Sequence, residues 1–271
     1  MKRKITYRGR TALITGASSG IGAAFAAALA GRGCDVILVA RRESRLERLA
    51  EDLQRAHGIT ATVVAADLSR ADAPAIVRTA VNDRGLPVDI LVNNAGFATY
   101  GRFESIDPAT EQDMIMVNVA AYVGLVHEFL PQMIDHRDGV IINVSSGAAF
   151  QPIPYQITYA ATKAFVQSFS DGLWAENRTT CVRVVSCAPS ATDTEYFDVL
   201  GGHEEARFGP ARPPENVVAA TLSALERGRM HTVVGAPWKV VANVPRFLPR
   251  AAYARISERL TRPREKAKSA T

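Results

Sequence analysis

Short apolar runs alternate with amphipathic stretches from residue 10 to about residue 235 of this 271-residue chain. The apolar runs are hydrophobic throughout, which is typical of strands buried on both faces of a sheet. The stretches between them carry apolar residues at helical spacing, as Leu46, Leu49 and Leu53 do. Since parallel strands need crossover connections, the alternation predicts an α/β fold with helices on both faces of a parallel sheet.

The predicted elements follow one another without an internal repeat or a linker. We expect strands over residues 11–15, 35–40, 60–65, 89–93, 140–144, 182–187 and 232–234. We expect helices, with Ser44 as the N-cap of the second, over residues 21–30, 44–56, 74–82, 109–133, 158–176 and 215–227. The order predicts a Rossmann-type, doubly wound parallel sheet of about seven strands in a single domain. That domain spans residues 1–235, and residues 236–271 form a C-terminal extension with a basic tail.

Composition narrows the class of protein. Apolar residues make up 47% of the chain, enough for one sizeable core. The sequence has no run of about 18 consecutive apolar residues, and its start, MKRKITYRGR, lacks the apolar stretch of a secretory signal. We therefore expect a cytoplasmic protein. Cys34, Cys181 and Cys187 lack metal-like spacing, so we expect buried free thiols and no metal site.

The net charge of +5 comes from the C-terminal end of the chain. Residues 246–271 carry eight Lys or Arg and two Glu, a net charge of +6. Residues 250–260 predict a basic amphipathic helix with two interpretations: weak contact with an anionic membrane surface, or packing over a substrate loop. We expect no nucleic-acid partner, because the charge is not accompanied by interleaved aromatic residues on a recognisable module.

A glycine-rich turn, TGASSGIG, links the first predicted strand to the first helix. Gly16 suits a tight turn, Gly20 leaves room for a diphosphate, and Gly22 lets the helix lie close to the sheet. The amide groups and the positive dipole end of that helix would face the phosphates. The turn predicts dinucleotide binding by Gly16, Ser18, Ser19, Gly20, Ile21 and Gly22.

The end of the second strand indicates which dinucleotide is bound. An acidic residue there would bind the ribose 2′-hydroxyl of NAD, but the position is Ala40, followed by Arg41 and Arg42. A guanidinium can bind a 2′-phosphate through paired hydrogen bonds, so NADP(H) is favoured over NAD(H), with Arg41 as the contact. The alternative is that both arginines are solvated residues at the start of a helix. Asp67, after the third strand, could accept from the adenine amine or belong to a turn.

Tyr159 and Lys163 are four residues apart on a predicted helix, so their side chains share one face. A free tyrosine has a pKa of about 10, and a nearby ammonium is expected to lower it by stabilising the phenolate. Tyr159 would then donate a proton in carbonyl reduction and accept one in alcohol oxidation. Such pairs are common on helix surfaces, so the surrounding pattern decides what this one means.

Six motifs occur in a fixed order along the chain. They are TGASSGIG at 15–22, NNAG at 93–96, Asn118 in MVNVAA, Ser145 and Ser146 after IINV, Tyr159-x-x-x-Lys163, and Pro189 after VVSCA. With them the chain resembles the short-chain dehydrogenase/reductase family over roughly residues 8–235. The resemblance implies an NAD(P)-dependent oxidoreductase that interconverts a carbonyl and an alcohol, with Tyr159 as the acid/base.

The resemblance also implies roles for individual residues. Asn118 would hold a water molecule in a proton relay. Ser146, thirteen residues before Tyr159, would hydrogen-bond the substrate oxygen in preference to Ser145. Lys163 would also bind the nicotinamide ribose. Asn93 would support the central strand, and further cofactor contacts would come from Asn94, Ala95, Gly96, Pro189 and Thr194.

Several of these residues have structural alternatives. Asn118 could satisfy a helix backbone group, Ser146 could cap a turn, and Thr194 could cap a helix. The sequence departs from the family pattern at Ser190, where a glycine usually follows Pro189. Because glycine permits backbone conformations that serine disfavours, we expect a differently shaped pocket edge there.

The loops expected around the nicotinamide are apolar, which predicts a hydrophobic small-molecule carbonyl or alcohol as substrate. They contain Phe97, Tyr100, Phe150, Pro152, Ile153, Pro154, Tyr155, Tyr196 and Phe197. Residues 195–212 are expected to form a mobile lid. The resemblance implies a homodimer or homotetramer built on the helices of Asn118 and Tyr159. The competing hypothesis is a catalytically silent, dinucleotide-sensing binding protein of the same fold.

Overall fold

Seven parallel strands form one sheet in the computed structural model, which describes residues 5–196, 200, 210–235 and 249–263. The strands are β1 (Thr11–Thr15), β2 (Asp35–Ala40), β3 (Ala61–Ala65), β4 (Ile90–Asn93), β5 (Gly139–Val144), β6 (Val182–Pro189) and β7 (His231–Val234). Their order across the sheet is β3-β2-β1-β4-β5-β6-β7. The predicted doubly wound α/β sheet is confirmed.

Eight helices in the described residues connect or follow these strands. They are α1 (Gly20–Ala30), α2 (Glu43–His57), α3 (Ala73–Asn82), α4 (Pro108–Ile115), α5 (Ala121–Asp135), α6 (Ile157–Glu176), α7 (Pro214–Glu226) and α8 (Arg250–Thr261). A π-helical turn, Met116–Ala120, joins α4 to α5, so the predicted helix over 109–133 is one run with an irregular centre. The N-cap prediction for Ser44 is wrong: α2 begins one residue earlier, and the capping position is Arg42, whose backbone is not helical.

The strand order reverses beside β1, which pairs with β2 on one side and with β4 on the other. Crossovers from these strands run to opposite faces, so a crevice opens at their carboxyl ends. The glycine turn follows β1, and the NNAG motif ends β4. The topology therefore brings two motifs about 75 residues apart in sequence to one edge of the sheet.

Each face of the sheet has its own hydrophobic core. Phe25 of α1 and Leu222 of α7 pack on one face, while Val77 of α3 and Phe129 of α5 pack on the other, all at most 2% exposed. The close approach of α3 to α5 depends on Gly124, where a Cβ would lie 2.5 Å from Pro74 Cγ. These cores hold the carboxyl edge of the sheet in place.

The helical run Pro108–Asp135 is long and apolar enough to cross a membrane by length and composition, with a mean hydropathy of 1.4. The sequence expectation differed because it required an unbroken apolar run, and this run includes Asn118 and His127. In the structure the run packs on the sheet through buried residues such as Tyr122 and Leu125. That burial is typical of a core helix in an α/β fold.

The cysteine expectation needs one correction. Cys34 and Cys187 are buried free thiols, but Cys181 is exposed. Cys181 directly precedes β6, outside the paired and covered part of the strand. Burial raises the pKa of the Cys34 thiol to about 11, so at neutral pH it is a protonated core residue.

Helix α8 packs over the loop that precedes α6. Ser257 Oγ donates to Pro152 O at 2.9 Å, and the Tyr155 hydroxyl donates to Glu258 Oε1 at 2.8 Å. The Tyr100 hydroxyl donates to Thr261 O at 2.6 Å. Of the two interpretations of this helix, the structure shows packing over the loop; membrane contact by its outer face stays a prediction.

Candidate active site

A cavity of about 610 Å³ opens at the carboxyl edge of the sheet. Its wall contains all the predicted site residues except Gly22 and Asn118, which are buried behind it. The residues that line it include the glycine turn, the ends of β2, β5 and β6, the segment after β3, the NNAG motif, the start of α6 and residues 194–196. One cleft thus holds both the predicted cofactor residues and the predicted catalytic residues.

The glycine turn has the conformation that its sequence demands. Gly16 and Gly20 have φ angles of +65° and +56°, which L side chains rarely adopt. A Cβ at Gly22 would lie 2.2 Å from Gly16 O, so α1 can lie against the turn only with glycine there. The turn leaves an open, backbone-lined cradle at the start of α1, as a diphosphate needs.

Thr15 and Asn94 fasten this turn to the neighbouring strand. Thr15 Oγ1 accepts from the backbone amides of Asn94 and Ala95 at 2.9 and 3.0 Å. Asn94 Nδ2 donates to Thr15 O at 2.8 Å. No role was predicted for Thr15, although its position as the last residue of a buried strand before the glycines could have indicated one.

The polar residues behind the NNAG motif support the strands. Asn93 Nδ2 donates to Asn143 Oδ1 at 3.0 Å, and Asn143 Nδ2 donates to Ser170 Oγ at 2.9 Å. All three residues are fully buried. Asn93 thus links β4 to β5 and to α6, while its neighbours Asn94, Ala95 and Gly96 line the cavity.

Two arginines stand at the cavity wall where β2 ends, Arg41 and Arg42. Arg42 donates to Ser18 Oγ at 2.9 Å and to Ser19 Oγ at 2.8 Å, joining α2 to the glycine turn. Its Nη1 also donates to Glu195 Oε2 at 2.7 Å. Arg41 is the phosphate contact predicted from the sequence, and the bridge that Arg42 forms between the turn and Glu195 was not predicted.

Asp67 lines the same part of the cavity. One carboxylate oxygen, Oδ1, accepts from the backbone amide and the hydroxyl of Ser69 at 3.1 and 3.0 Å. The structure therefore shows the turn role that was the alternative for Asp67. The adenine contact stays a prediction.

Tyr159 and Ser146 meet at the floor of the cavity. Ser146 and Tyr196 line the cavity beside Tyr159, and the Tyr159 and Tyr196 ring centroids are 5.7 Å apart. Ser146 Oγ also accepts from Ala148 N at 3.1 Å, which fixes it at the start of a short 3-10 turn, Gly147–Phe150. Ser145, in contrast, donates from Oγ to the Lys163 backbone oxygen at 2.9 Å. The geometry thus puts Ser146, and not Ser145, beside the tyrosine hydroxyl.

Lys163 is buried one helical turn from Tyr159, with 3% of its surface exposed. Its ammonium donates to Val144 O at 3.0 Å and lies 5.4 and 5.9 Å from the ring centroids of Tyr122 and Tyr159. Burial lowers the pKa of Lys163 to about 8. The Tyr122 hydroxyl donates to the same carbonyl at 3.2 Å. Sequence reasoning missed Tyr122, although it lies four residues after Asn118 and hence on the same helix face.

The pKa of Tyr159 corrects the sequence expectation. Burial raises it above the ordinary value, and the hydrogen bonds to Ser146 and Tyr196 oppose that rise without reversing it. The expected lowering by Lys163 is not seen, because burial penalises the charged form of both groups. At neutral pH Tyr159 therefore carries its proton.

Asn118 lies on the π-helical turn and is fully buried. Its Oδ1 accepts from Phe97 N at 3.1 Å, and its Nδ2 donates to Phe97 O at 3.0 Å and to Thr162 Oγ1 at 3.1 Å. It therefore ties the segment after NNAG to α6. Such π-helical turns are frequent at functional sites. The water-relay role of Asn118 stays a prediction.

The residues present fit a dinucleotide. At Gly96 a Cβ would lie 2.9 Å from Asn118 Oδ1 and 3.2 Å from Lys163 Nζ, so the cavity wall has no room for a side chain at this position. In the described part of the chain, Val144 O is the hydrogen-bond acceptor of the buried Lys163 ammonium, which has three donors. Ribose hydroxyls are suitable acceptors for the remaining two, and the arginines at the other end suit a phosphate.

The segment after β6 crosses the cavity opposite the glycine turn. Thr194 Cγ2 would lie 2.8 Å from a Cβ at Gly20, and Thr194 Oγ1 accepts from Tyr196 N at 3.3 Å. Thr194 is therefore both beside the phosphate cradle and in a capping arrangement. The non-glycine residues with positive φ in the described segments are Arg137 and Tyr155, so Ser190 has an ordinary backbone conformation and the position does not require glycine.

The predicted apolar pocket is present in part. Phe97, Ile153 and Tyr196 line the cavity and pack with the buried Met114 and Ala148. Tyr100 and Tyr155 turn toward α8, Phe197 lies outside the described residues, and so does most of the predicted lid. The residues described as lining the cavity do not include the other three predicted ones, Phe150, Pro152 and Pro154.

Comparison with known proteins agrees with this geometry. The family model described as short chain dehydrogenase matches residues 10–204. A 17-beta-hydroxysteroid dehydrogenase type 3 from Danio rerio is 32% identical over 254 residues, covering 90% of this chain and 80% of that protein. An "inactive hydroxysteroid dehydrogenase-like protein 1" from Homo sapiens is 35% identical over 188 residues, covering 68% of this chain. That match spans only 56% of the human protein.

Solved structures show the same fold. A short-chain dehydrogenase from Sphingobium yanoikuyae in complex with NADPH has 32% identity and a TM-score of 0.78, covering 88% of this chain and 94% of that chain. A 3-ketoacyl-(acyl-carrier-protein) reductase from Brucella melitensis complexed with NADH has 30% identity and a TM-score of 0.73, covering 84% and 97%. Similar proteins thus occur with either dinucleotide.

Proposed function

The chain belongs to the short-chain dehydrogenase/reductase family, and on that premise we propose that it is an NADP(H)-dependent oxidoreductase. It interconverts a carbonyl and an alcohol on a hydrophobic small molecule. One observation carries the proposal: Tyr159, beside Ser146 and one turn from buried Lys163, shares a cleft with a glycine cradle.

The bound cofactor would supply or accept the hydride. In reduction, Ser146 and Tyr159 hold the substrate oxygen, and Tyr159 transfers its proton to that oxygen as the carbonyl carbon is reduced. Lys163 then stabilises the negative charge left on the phenolate. Asn118 is the candidate for the water through which the proton returns.

Reduction is the direction that the resting protonation states favour. Tyr159 has a raised pKa and carries its proton at neutral pH, while Lys163, with a pKa of about 8, is mainly charged. A proton donor and a nearby positive charge are what an incoming carbonyl requires. Alcohol oxidation needs the phenolate and is expected to gain rate as the pH rises.

The NADP preference rests on Arg41 and Arg42, which occupy the end of β2 where an acid would select NAD. The test is a fluorescence titration with NADPH and NADH, side by side. We expect tighter NADPH binding that weakens about tenfold in Arg41→Ala. Arg48→Ala removes an exposed arginine from α2 and is the matched control. Tighter binding of NADH would refute the preference and leave the oxidoreductase proposal intact.

The human relative named inactive makes the silent binding protein the second candidate. Against it, this chain keeps Asn118, Ser146, Tyr159 and Lys163 together around the cleft. An enzyme should reduce members of a panel of hydrophobic ketones and aldehydes with NADPH. A chain that binds NADPH and turns over none of the panel would favour the silent alternative.

We also propose a homodimer or homotetramer. Phe165 and Ile157 on α6 are 42% and 54% exposed, and Ile115 on α4 is 39% exposed. Light scattering on the purified protein checks this, and Phe165→Glu should reduce the mass to that of a monomer.

Weak membrane contact by α8 stays a proposal with its own test. Its outer face carries Ile256 and Leu260, which are 49% and 66% exposed, beside Arg255 and Arg259. Sedimentation with anionic vesicles at low salt should show binding that a Leu260→Glu variant lacks. No sedimentation of the wild-type protein would refute it.

A further inference from the structure

Three consecutive residues, Thr194, Glu195 and Tyr196, cross the cleft from its phosphate end to its catalytic end; we call them the 194–196 strap. Thr194 lies against the glycine turn at Gly20. Glu195 pairs with the arginines of α2, and Tyr196 packs on Tyr159. One short segment thus contacts both of the regions that ligands must reach.

On the cofactor side, the carboxylate of Glu195 is bound by the arginines to which a phosphate of the cofactor could bind. Its carboxylate accepts from Arg42 at 2.7 Å and also from Arg45. The same Arg42 guanidinium holds the two serines of the glycine turn. A carboxylate and a phosphate monoester compete for the same forked donors of an arginine. These ion pairs lower the pKa of Glu195 to about 2, so the carboxylate is charged at neutral pH.

Tyr196 occupies the catalytic side. Its ring packs on that of Tyr159, with the two ring centroids 5.7 Å apart. Ser146 lines the same part of the cavity as Tyr159. A substrate oxygen held by Ser146 and Tyr159 would have to enter beside the Tyr196 ring, which lines the same cavity. The contact therefore covers the proton donor.

We propose that the strap is an internal occupant of both ligand positions: Glu195 competes with the 2′-phosphate of NADP(H) for Arg42, and its release draws Tyr196 away from Tyr159. The inference rests on the proposed NADP(H) function. It assigns to Arg42 the binding of the 2′-phosphate, to Glu195 a competing anion that lowers the affinity for NADP(H), and to Tyr196 the coupling of that exchange to the catalytic tyrosine. NAD(H), which lacks the phosphate, leaves the Glu195 ion pairs in place.

The first test removes the internal anion. Fluorescence titrations with NADPH and NADH are made on the wild-type protein, on Glu195→Gln and on Glu43→Gln. Glu43 is an exposed carboxylate next to Arg42 in sequence, so its replacement removes the same charge close by. We expect Glu195→Gln to tighten NADPH binding about threefold to tenfold while NADH binding changes less than about twofold. The control should change both by less than about twofold.

The second test follows Tyr196 without any turnover. Tyr196 is replaced by 3-fluorotyrosine, and its ¹⁹F signal is recorded with adenosine 2′,5′-bisphosphate and with adenosine 5′-monophosphate. Neither probe carries a nicotinamide, so a change reports on the phosphate end alone. We expect the bisphosphate to shift the signal and the monophosphate to leave it. In Arg42→Ala the bisphosphate should have no effect.

The possible outcomes distinguish a failure of this inference from a failure of the proposed NADP(H)-dependent function. Equal effects of Glu195→Gln on NADPH and NADH, or no effect on either, would overturn the competition. A ¹⁹F signal unmoved by saturating bisphosphate would overturn the coupling to Tyr196. If the wild-type protein binds NADPH normally in these cases, the proposed function stands. A wild-type protein that binds neither dinucleotide would refute the function and the inference together.

Discussion

The two sides of the cleft are held by different kinds of interaction. On the cofactor side, backbone geometry sets the shape: positive φ angles at Gly16 and Gly20, and backbone amides bound to Thr15. On the substrate side, side chains join segments about a hundred residues apart, as Tyr155 and Glu258 do. The shape of the cofactor side therefore follows mainly from backbone conformation, whereas the substrate side depends on side-chain contacts that single substitutions can remove.

The largest expected effect lies where the two sides meet, at Tyr159. Tyr159→Phe removes the proton donor and keeps the ring, so turnover should fall by about 10²–10⁴-fold. NADPH affinity should change less than about threefold, because the cradle and the arginines are untouched. Steady-state kinetics and fluorescence titration measure the two quantities. Tyr7→Phe, which removes a hydroxyl that donates to Glu226 instead, is the control. Full activity of Tyr159→Phe would refute the acid/base assignment.

Lys163→Met should lose activity and gain stability at the same time. The pKa of Lys163 is about 8 in the folded protein and about 10.5 when it is free, so folding penalises the charged form. That penalty, roughly 2–4 kcal/mol, is fully present below pH 8 and disappears as the pH rises toward 10.5. Denaturant unfolding of both proteins at several pH values measures it. A variant less stable than wild type at pH 7 would contradict this account.

The same pKa predicts the pH profile of reduction by the wild-type enzyme. Lys163 is charged below pH 8 and supports the phenolate that forms at Tyr159. The reduction rate at saturating substrate should therefore be level at lower pH and fall as the pH rises past about 8. A rate that keeps rising well beyond that pH would show that the charge of Lys163 is not required.

Gly22→Ala tests the cofactor side of the cleft directly. The new Cβ would lie 2.2 Å from the Gly16 oxygen, and neither backbone can yield easily. We expect a loss of about 1–3 kcal/mol in the free energy of unfolding. Dinucleotide binding, measured by fluorescence titration, should weaken with it. Gly172→Ala is the matched control in α6, because a Cβ there meets nothing within 4 Å. That control should stabilise the protein by about 0.5–1 kcal/mol.

The difference between local backbone rules and long-range side-chain contacts also explains what the sequence could reveal. The strands and the glycine turn were predictable because apolar runs, helical spacing and glycine pattern express local backbone rules. The Arg42–Glu195 pair joins two residues that are 153 positions apart in the sequence, and no local pattern predicts it. The raised pKa of Tyr159 was missed for a similar reason, since burial is a property of the whole fold and here it outweighs the nearby lysine.

The smallest predicted effect belongs to the substrate side. Ser257→Ala removes the hydrogen bond from α8 to Pro152 O and leaves that carbonyl without this donor. We expect a loss of about 1 kcal/mol in the free energy of unfolding, and a KM for the ketone that rises more than kcat falls. Ser105→Ala, at an exposed position in the 3-10 turn Phe103–Ser105, should do neither. If Ser257→Ala lowered NADPH affinity as much as it raised KM, the two sides of the cleft would be one mechanical unit. The different interactions that hold the two sides would then make no difference to how each side binds its ligand.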